Sequence, residues 1–323
     1  MAVNDWRPGA TLDTLRTRAW ALAQVREFFT TRGLLEVDTP ALVRRAVTDV
    51  HIHSAEVRLP GCAQPLYLHT SPEYAMKRLL AAGSGDIFQI AHVFRGEEQG
   101  RLHNAEFTLI EWYRRGFHLQ QLMDEVAALA HTLLGARASA PVQCLRYDAA
   151  FRQLLGVDPL QAELPELRAC ATGQGLETEL AARLTRDELL DWLMGVHVGP
   201  HLGRDALCFV HGYPASQAAL ARLDPADPRV ALRFELYFQG IELANGFEEL
   251  ADSAEQRQRF TADQQERHRR GLPAPDMDER LLAALEAGFP PTAGVAVGFD
   301  RLLMLALGLP TLDAVLPFTL DRA

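Results

Sequence analysis

The sequence between residues 94 and 113 places an arginine and an aromatic side chain on either side of a polar loop. Arg95 ends one apolar run and Phe107 opens the next, with the loop predicted over residues 96–104. A guanidinium binds phosphate or carboxylate oxygens through its planar fork, and a phenyl ring can stack on a purine. Glu97 can accept a hydrogen bond from an exocyclic amino group. These residue types indicate a nucleotide site, and a hairpin with solvated loop charges is the open alternative.

A second arginine follows a run of small residues near the end of the chain. Residues 294–298 read Gly-Val-Ala-Val-Gly, and Arg301 falls in the first turn of the helix predicted after them. Small residues let a ligand approach a strand backbone closely, and a helix N-terminus favours phosphate. The alternative is a tightly packed corner between strand and helix, with Asp300 as the N-cap.

Carboxylates are the third group of candidates. Glu242 and Glu249 can share a Mg²⁺ ion, which prefers oxygen ligands, or can hold a substrate ammonium, and solvated acidic side chains are the alternative. The spacing from Thr70 to Glu73 predicts a capping box with proline in the first helical turn. The functional alternative for Glu73 is a carboxylate that receives a substrate amino group.

The elements that must position these residues alternate between strand pairs and helices. Periodicity predicts helices over residues 11–31, 71–83, 119–134, 253–270 and 300–307. It predicts strands over residues 87–95, 105–113, 234–238, 241–244 and 294–298. Gln239-Gly240 predicts a tight hairpin turn between two of the strands. The pattern indicates an α+β fold in which helices flank an antiparallel sheet.

The chain reads as a single catalytic domain over residues 1–323, interrupted by one segment of different character. Residues 150–228 are rich in proline and short apolar runs. We predict that this segment is a helical and loop insertion within the domain.

Composition restricts the class of protein. The 323 residues are 48% hydrophobic and 23% charged, which is typical of a globular protein. No apolar run approaches the roughly 18 residues that span a membrane, so we predict a cytoplasmic protein without membrane contact. Four scattered cysteines include no Cys-x-x-Cys pair, which argues against a zinc cluster. The formal net charge of −10 argues against extensive contact with tRNA.

Taken in order, three segments resemble the signature motifs of class II aminoacyl-tRNA synthetases. Residues 33–40 resemble motif 1, residues 94–113 motif 2, and residues 294–305 motif 3. The resemblance spans about 270 residues, so chance agreement of all three motifs is improbable. It implies the class II catalytic fold, with an antiparallel sheet flanked by helices.

Within that class, residues 70–73, 103–108 and 240–250 are similar to the lysyl-type catalytic core. A lysyl-tRNA synthetase carries an N-terminal anticodon-binding barrel, whereas the motif 1 helix here is predicted to begin near residue 11. We therefore expect no anticodon-binding domain. Over its whole length the chain resembles the family of elongation factor P–(R)-β-lysine ligases, truncated relatives of lysyl-tRNA synthetases, including at residues 214–218, 293–296 and 321–323.

The resemblance assigns a role to each motif residue. For the nucleotide, it implies that Arg95 bridges the substrate carboxylate and the α-phosphate and that Arg301 holds the γ-phosphate. The implied ATP site also includes Gly96, Glu97, His103, Asn104, Phe107, Glu242, Glu249 and Gly298. For the amino acid, it implies that Glu73 binds the nearer amino group, that Asn245 supports the carboxylate, and that three residues surround the distal ammonium, namely Glu111, Tyr113 and Glu249. The implied substrate site also includes Ser71, Pro72 and Ala296, and the implied Mg²⁺ ligands are Glu242 and Glu249.

The resemblance implies an ATP-dependent ligase that forms AMP and pyrophosphate. It would activate (R)-β-lysine or lysine as an acyl adenylate and transfer it to a lysine ε-amino group of elongation factor P. Motif 1 implies a homodimer. The alternatives are a stand-alone enzyme that charges tRNA in the manner of lysyl-tRNA synthetase and a catalytically silent, regulatory paralogue. Asparagine synthesis on the same fold fits poorly with a pocket that holds so many carboxylates.

Overall fold

The structure is a computed structural model that describes residues 6–96 and 100–323. It divides into two compact units. Unit 1 comprises the described residues up to Phe117, with Thr132–Gly135 and Leu250–Ala323. Unit 2 comprises His118–His131 and Ala136–Glu249. The expectation of one catalytic domain over residues 1–323 stays a prediction.

Ten α-helices lie in the described ranges, and the longest are α1, α3 and α8. In chain order they are α1 (Leu12–Thr30), α2 (Glu73–Ala81), α3 (Leu119–Leu134), α4 (Tyr147–Leu155), α5 (Leu164–Gly173), α6 (Thr178–Arg183), α7 (Arg186–Leu193), α8 (Ser253–Arg269), α9 (Glu279–Glu286) and α10 (Phe299–Leu307). None of the helices in this part of the chain is both long and apolar enough to cross a lipid bilayer.

Eleven strands lie in the same ranges. They are β1 (Leu35–Glu36), β2 (Leu42–Val43), β3 (Glu56–Val57), β4 (Leu66–Leu68), β5 (Ile87–Phe94), β6 (Glu106–Arg115), β7 (Gln143–Arg146), β8 (Cys208–Pro214), β9 (Val230–Phe238), β10 (Ile241–Glu248) and β11 (Thr292–Gly298). The helices and strands predicted around the motifs are confirmed to within a few residues at their ends.

Unit 1 is organised around four sheet strands in the order β1-β5-β6-β11. β1 runs parallel to β5, and the other pairs are antiparallel. One face of these strands packs against α1, where Phe29 lies 4.7 Å from Phe88 and 4.9 Å from Trp112 between ring centroids. Because side chains alternate along a strand, the odd-numbered residues of β6 lie on the other face. A separate three-stranded sheet has the order β2-β4-β3.

Unit 2 contains the strand order β10-β9-β8-β7. β7 runs parallel to β8, and the remaining pairs are antiparallel. Side chains from α4, α5 and α7 form an apolar core with β8, including Tyr147, Phe151, Leu167, Leu190 and Val210. The predicted insertion at 150–228 is therefore not only helices and loops, because β8 within it is a strand of this sheet. The sequence of β8 shows no alternation of apolar and polar residues, so the sequence did not predict a strand there.

The hairpin of β9 and β10 turns at Gln239 and Gly240, as predicted. Both residues have positive φ, 51° and 72°, which is the conformation of a tight hairpin turn. The pairing then shifts between Glu242 and Ala244, so Leu243 is an extra residue in β10. Such a bulge changes which side chains share a face beyond it.

Two predicted helix caps are wrong. The N-cap of α2 is Pro72 without a side-chain cap, and Ser71 Oγ accepts the bond from the Glu73 amide at 2.9 Å. The N-cap of α10 is Gly298, not Asp300. Asp300 instead accepts bonds from the Thr108 amide at 2.7 Å and from Arg18 Nη1 at 2.5 Å. Asp300 thus bonds partners distant in sequence instead of capping its own helix.

Candidate active site

The strand register brings the motif residues of unit 1 onto one face of the sheet. Phe107 lies opposite Val93, and Glu111 lies opposite both Gln89 and Ala296. Residues in register share a face, and Arg95 continues the alternation of β5. Phe107 and Glu111 are four residues apart on β6, a separation of roughly 13 Å along the strand. The face therefore carries an arginine and an aromatic ring toward one end and a carboxylate toward the other.

Arg95 is held at the end of β5 by three contacts. Its backbone amide donates to Ala105 O at 2.9 Å, and its Nε donates to Thr70 O at 3.4 Å. Its guanidinium carbon lies 5.1 Å from the centroid of the Phe107 ring. Stacking against an aromatic face limits the rotamers of the arginine, so the cation is partly preorganised.

Arg301 reaches the loop that joins β5 to β6. Its Nε donates to Leu102 O at 3.2 Å, and its Nη2 lies 2.7 Å from His103 Nε2. Since a guanidinium only donates, His103 Nε2 is the acceptor and the ring proton lies on Nδ1. The neighbouring Asp300 fixes the first turn of α10 against β6 through Thr108. Both arginines therefore act at the same end of the β5–β6 hairpin.

Glu111 is a buried carboxylate with two neutral hydrogen-bond donors. It is 2% exposed, Ser71 Oγ donates to its Oε2 at 2.7 Å, and Tyr113 Oη donates to its Oε1 at 2.7 Å. These two bonds fix the orientation of the carboxylate. The arrangement suits a ligand that brings a cation.

Small residues of β11 lie beside this carboxylate. Gly294 lies opposite Tyr113, Ala296 opposite Glu111, and Gly298 opposite Leu109. Because these side chains are hydrogen atoms or a methyl group, β11 adds little bulk beside Glu111. Ala296 packs with Phe107 against the apolar cluster of Ala91, Val93 and Leu109 on the same face. Small side chains are the feature expected of strand residues that contact a ligand.

Glu73 is paired with the single lysine of the chain. Lys77 Nζ lies 2.8 Å from Glu73 Oε1, one helical turn along α2. Lys77 is 1% exposed, whereas the Glu73 side chain is 18% exposed. The ion pair fixes the orientation of a carboxylate that was predicted to receive a substrate amino group.

Several predicted site residues have a structural role or lie outside the described residues. Asn104 donates from Nδ2 to Glu106 O at 2.6 Å and accepts the Leu320 amide at 3.1 Å. Gly96 packs against His53, to whose carbonyl its amide donates at 2.7 Å. Glu97 lies outside the described residues.

In unit 2, the bulge at Leu243 determines which side chains of β10 act together. Glu242 lies opposite Tyr237, and Asn245 lies opposite Glu235. Glu242 and Asn245 are three residues apart, so simple alternation would place them on opposite faces. The extra residue returns both to the face that also carries Glu235, which brings two carboxylates and one amide together.

Arg233 and Glu235 are site residues that the sequence reading missed. Arg233 Nη2 donates to Glu235 Oε1 at 2.5 Å, and its Nε donates to Asn245 Oδ1 at 3.2 Å. Burial works to lower the pKa of Arg233, but the Glu235 carboxylate outweighs it and the pKa is raised. Counting outward from the Gln239–Gly240 turn pairs position 237 with position 242. Glu235 lies two residues before position 237 on the same face, so this count would have identified it as a neighbour of Glu242.

The predicted Mg²⁺ site at Glu242 and Glu249 stays a prediction. Glu242 lies in β10, whereas Glu249 follows the last residue of that strand and bridges to Ala221. Glu235 lies diagonally across from Glu242, where cross-strand neighbours are roughly 7–8 Å apart. Its two carboxylate oxygens accept bonds from Arg233 Nη2 at 2.5 Å and from Tyr237 Oη at 2.6 Å.

Acidic, histidine and cysteine side chains in the described ranges form no group of three that could hold a metal ion. An ion bound by Glu242 and Glu249 would therefore also need oxygens from phosphate and water. This is the usual coordination of Mg²⁺ in nucleotide sites.

A model of the family tRNA synthetases class II (D, K and N) matches residues 2–322. The α+β fold and the mainly antiparallel strands agree with this match. Three similar proteins share the name elongation factor P–(R)-β-lysine ligase. They come from Vibrio cholerae, 49% identical with 100% of both chains covered, from Klebsiella pneumoniae strain 342, and from Salmonella dublin, each of these two 48% identical with 98% of both chains covered.

Proposed function

Because this chain belongs to the family of class II tRNA synthetases (D, K and N), we propose that it is an ATP-dependent ligase for a diamino acid. It activates (R)-β-lysine or lysine as an acyl adenylate. It then transfers the acyl group to a lysine ε-amino group of elongation factor P in the cytoplasm. The names of relatives that are 48–49% identical over the full chain support this acceptor.

The buried Glu111 is the observation that carries the proposal. It lies on the same sheet face as Phe107, about 13 Å farther along β6, and the Arg95 guanidinium carbon lies 5.1 Å from the centroid of that ring. A ligand spanning the two needs an anion at one end and a cation at the other. A lysine-type amino acid meets this requirement, with its carboxylate at Arg95 and its distal ammonium at Glu111. Glu73 supplies a further carboxylate for the second amino group.

The first step forms a mixed anhydride. A carboxylate oxygen of the amino acid attacks the α-phosphorus of ATP, and the bond to the bridging oxygen of pyrophosphate breaks. Arg95 offsets the charge that develops at the α-phosphate, and Arg301 holds the distal phosphates. Positioning and charge neutralisation therefore provide the catalysis, without a covalent enzyme intermediate.

The second step transfers the acyl group. The ε-amine attacks the acyl carbon, the bond from that carbon to the phosphate oxygen breaks, and AMP leaves. The attacking nitrogen loses one proton, which the departing phosphate can accept. Arg95 stabilises the same phosphate in both steps, because its charge returns to the AMP oxygens.

We propose Mg²⁺ at Glu242 and Glu249. Mg²⁺ would neutralise phosphate charge when it is bound. Glu242→Gln and Glu249→Gln are each expected to raise the Mg²⁺ concentration for half-maximal pyrophosphate exchange by at least about tenfold. Glu106→Gln, whose side chain is 53% exposed, is the matched control, and its Mg²⁺ dependence should stay unchanged. A wild-type Mg²⁺ dependence in either the Glu242 or the Glu249 variant would contradict this assignment.

The proposed function predicts a specific product. Purified elongation factor P incubated with the enzyme, ATP and (R)-β-lysine should gain the mass of one lysyl group. Charging of tRNA measured in parallel should stay at background. Acylated tRNA with unmodified elongation factor P would favour the tRNA-charging alternative. No substrate-dependent pyrophosphate exchange would favour the silent paralogue.

We also propose a homodimer through unit 1. Three large apolar side chains of α1 and β1 are more than half exposed, namely Leu12, Trp20 and Leu35. Large exposed apolar side chains on these two elements are expected where a partner covers the surface. Light scattering should give the mass of two chains, and Trp20→Glu should shift it toward one. A wild-type monomer at micromolar concentration would exclude the dimer.

A further inference from the structure

The composition of the chain is unusual in one respect that concerns its own chemistry. Lys77 is the single lysine among 32 basic residues, so arginine supplies the other 31. A guanidinium stays protonated at neutral pH, whereas an exposed lysine has a measurable fraction of neutral, nucleophilic amine. An acyl adenylate reacts with such amines. Across the sequence, Lys77 is thus the one side-chain amine that the chain itself could offer.

The structure makes that one amine a poor acceptor. Lys77 is 1% exposed, with its Nζ 2.8 Å from Glu73 Oε1. An amine attacks a carbonyl with its lone pair, and the Lys77 nitrogen is instead held against the Glu73 carboxylate. Its neighbours Met76 and Leu80 are fully buried, so an added acyl chain would have no space. Lys77 nevertheless lies one helical turn from Glu73, which belongs to the proposed substrate site.

The cysteines provide little competition. Cys208 is buried, and burial raises the pKa of its thiol to about 11. Burial and the nearby Asp124 raise the pKa of Cys144. Since the thiolate is the nucleophile, a raised pKa lowers the reactive fraction at neutral pH. A thioester formed at exposed Cys62 would also hydrolyse, unlike an amide.

We infer that this chain excludes itself as an acceptor, because its surface is arginine-based and its single lysine is buried in the ion pair with Glu73. The inference rests on the proposed function, since it concerns the fate of the acyl adenylate. The scarcity of lysine limits which amines can accept the acyl group, and residues of the pocket do not provide this selectivity. The adenylate meets no reactive side-chain amine until the protein acceptor docks, so activated amino acid is not lost to the enzyme.

The test adds one exposed lysine at a time. Arg101→Lys lies two residues before His103 in the loop that Arg301 contacts, and its side chain is exposed. Arg16→Lys lies on α1, which packs against the opposite face of the sheet. Arg101→Gln is the matched control for the loss of arginine. Each protein is incubated with ATP, Mg²⁺ and (R)-β-lysine without acceptor, and peptide masses locate any lysyl group.

The expected result is no lysyl group on any wild-type or Arg101→Gln side chain and a one-lysyl mass shift at Lys of the Arg101→Lys chain. Arg16→Lys should be modified less than Arg101→Lys. A lysyl amide on wild-type Lys77 overturns the inference. Pyrophosphate exchange without any adduct on either lysine variant overturns it as well, because lysine scarcity then protects nothing. Absence of exchange in the wild type means instead that the proposed function has failed.

Discussion

Exchange of Arg95 for alanine is expected to lower kcat for adenylate formation by about 10²–10³-fold, the usual effect of removing one donor from a developing anion. The guanidinium is partly preorganised by Phe107, 5.1 Å away, and by Thr70 O. Arg95→Lys should recover little of the rate, because an ammonium lacks the planar fork. Substrate-dependent pyrophosphate exchange measures the effect directly.

The matched control for Arg95 is Arg58→Ala, which removes an arginine that is 81% exposed and paired with Glu56. Its exchange rate should equal that of the wild type, and both variants should unfold at the wild-type urea midpoint. If Arg95→Ala retained more than about a tenth of the wild-type rate, Arg95 would not be the residue that stabilises the α-phosphate.

Replacement of Glu111 by glutamine is expected to have the largest effect on substrate selection. Removing one partner of a buried charge pair costs about 2–5 kcal/mol, so kcat/KM for lysine should fall by at least about 30-fold. The KM for ATP should stay near that of the wild type. Glutamine has the same shape. Its oxygen can accept from one of the hydroxyls of Ser71 and Tyr113 and its amide can donate to the other, so the fold should persist. Pyrophosphate exchange at varied lysine concentration separates the two constants.

Glu106→Gln is the matched control for Glu111, because Glu106 lies on β6 but on the opposite face. Its side chain is 53% exposed and pairs with His92 at 2.8 Å. This variant should leave both KM values unchanged. Equal losses in the two variants would show that the effect comes from the strand rather than from recognition of a cation.

Much of the unit 1 site follows from patterns that a sequence displays. Strands β5 and β6 have clear alternation and a polar connecting loop, which puts Arg95 and Phe107 at the same end of a hairpin. The small residues of β11 indicate that little side-chain bulk lies beside Glu111. These features depend on short-range order and on strand pairing across one loop, so counting residues reproduces them.

The features that the sequence did not reveal depend on longer-range choices. A capping box was predicted at Thr70, but the Ser71 hydroxyl instead bonds the amide of Glu73 and the distant Glu111. Asp300 matched an N-cap, but it bonds Thr108 across 192 positions of the sequence. The burial of Lys77 could not be predicted either, because lysine is usually exposed. For Ser71 and Asp300, a partner distant in sequence takes part in the bonding, which a local pattern does not show.

The extra residue in β10 shifts the alternation of side chains along the strand by one position. The number of residues between Glu242 and Asn245 determines on which face of the sheet the later side chains lie. Loss of the single codon for Leu243 would place Asn245 two positions after Glu242 in a regular strand, so the two side chains would still share a face. This stretch can therefore lose that one residue without turning Asn245 away, whereas loss of a second residue would turn it.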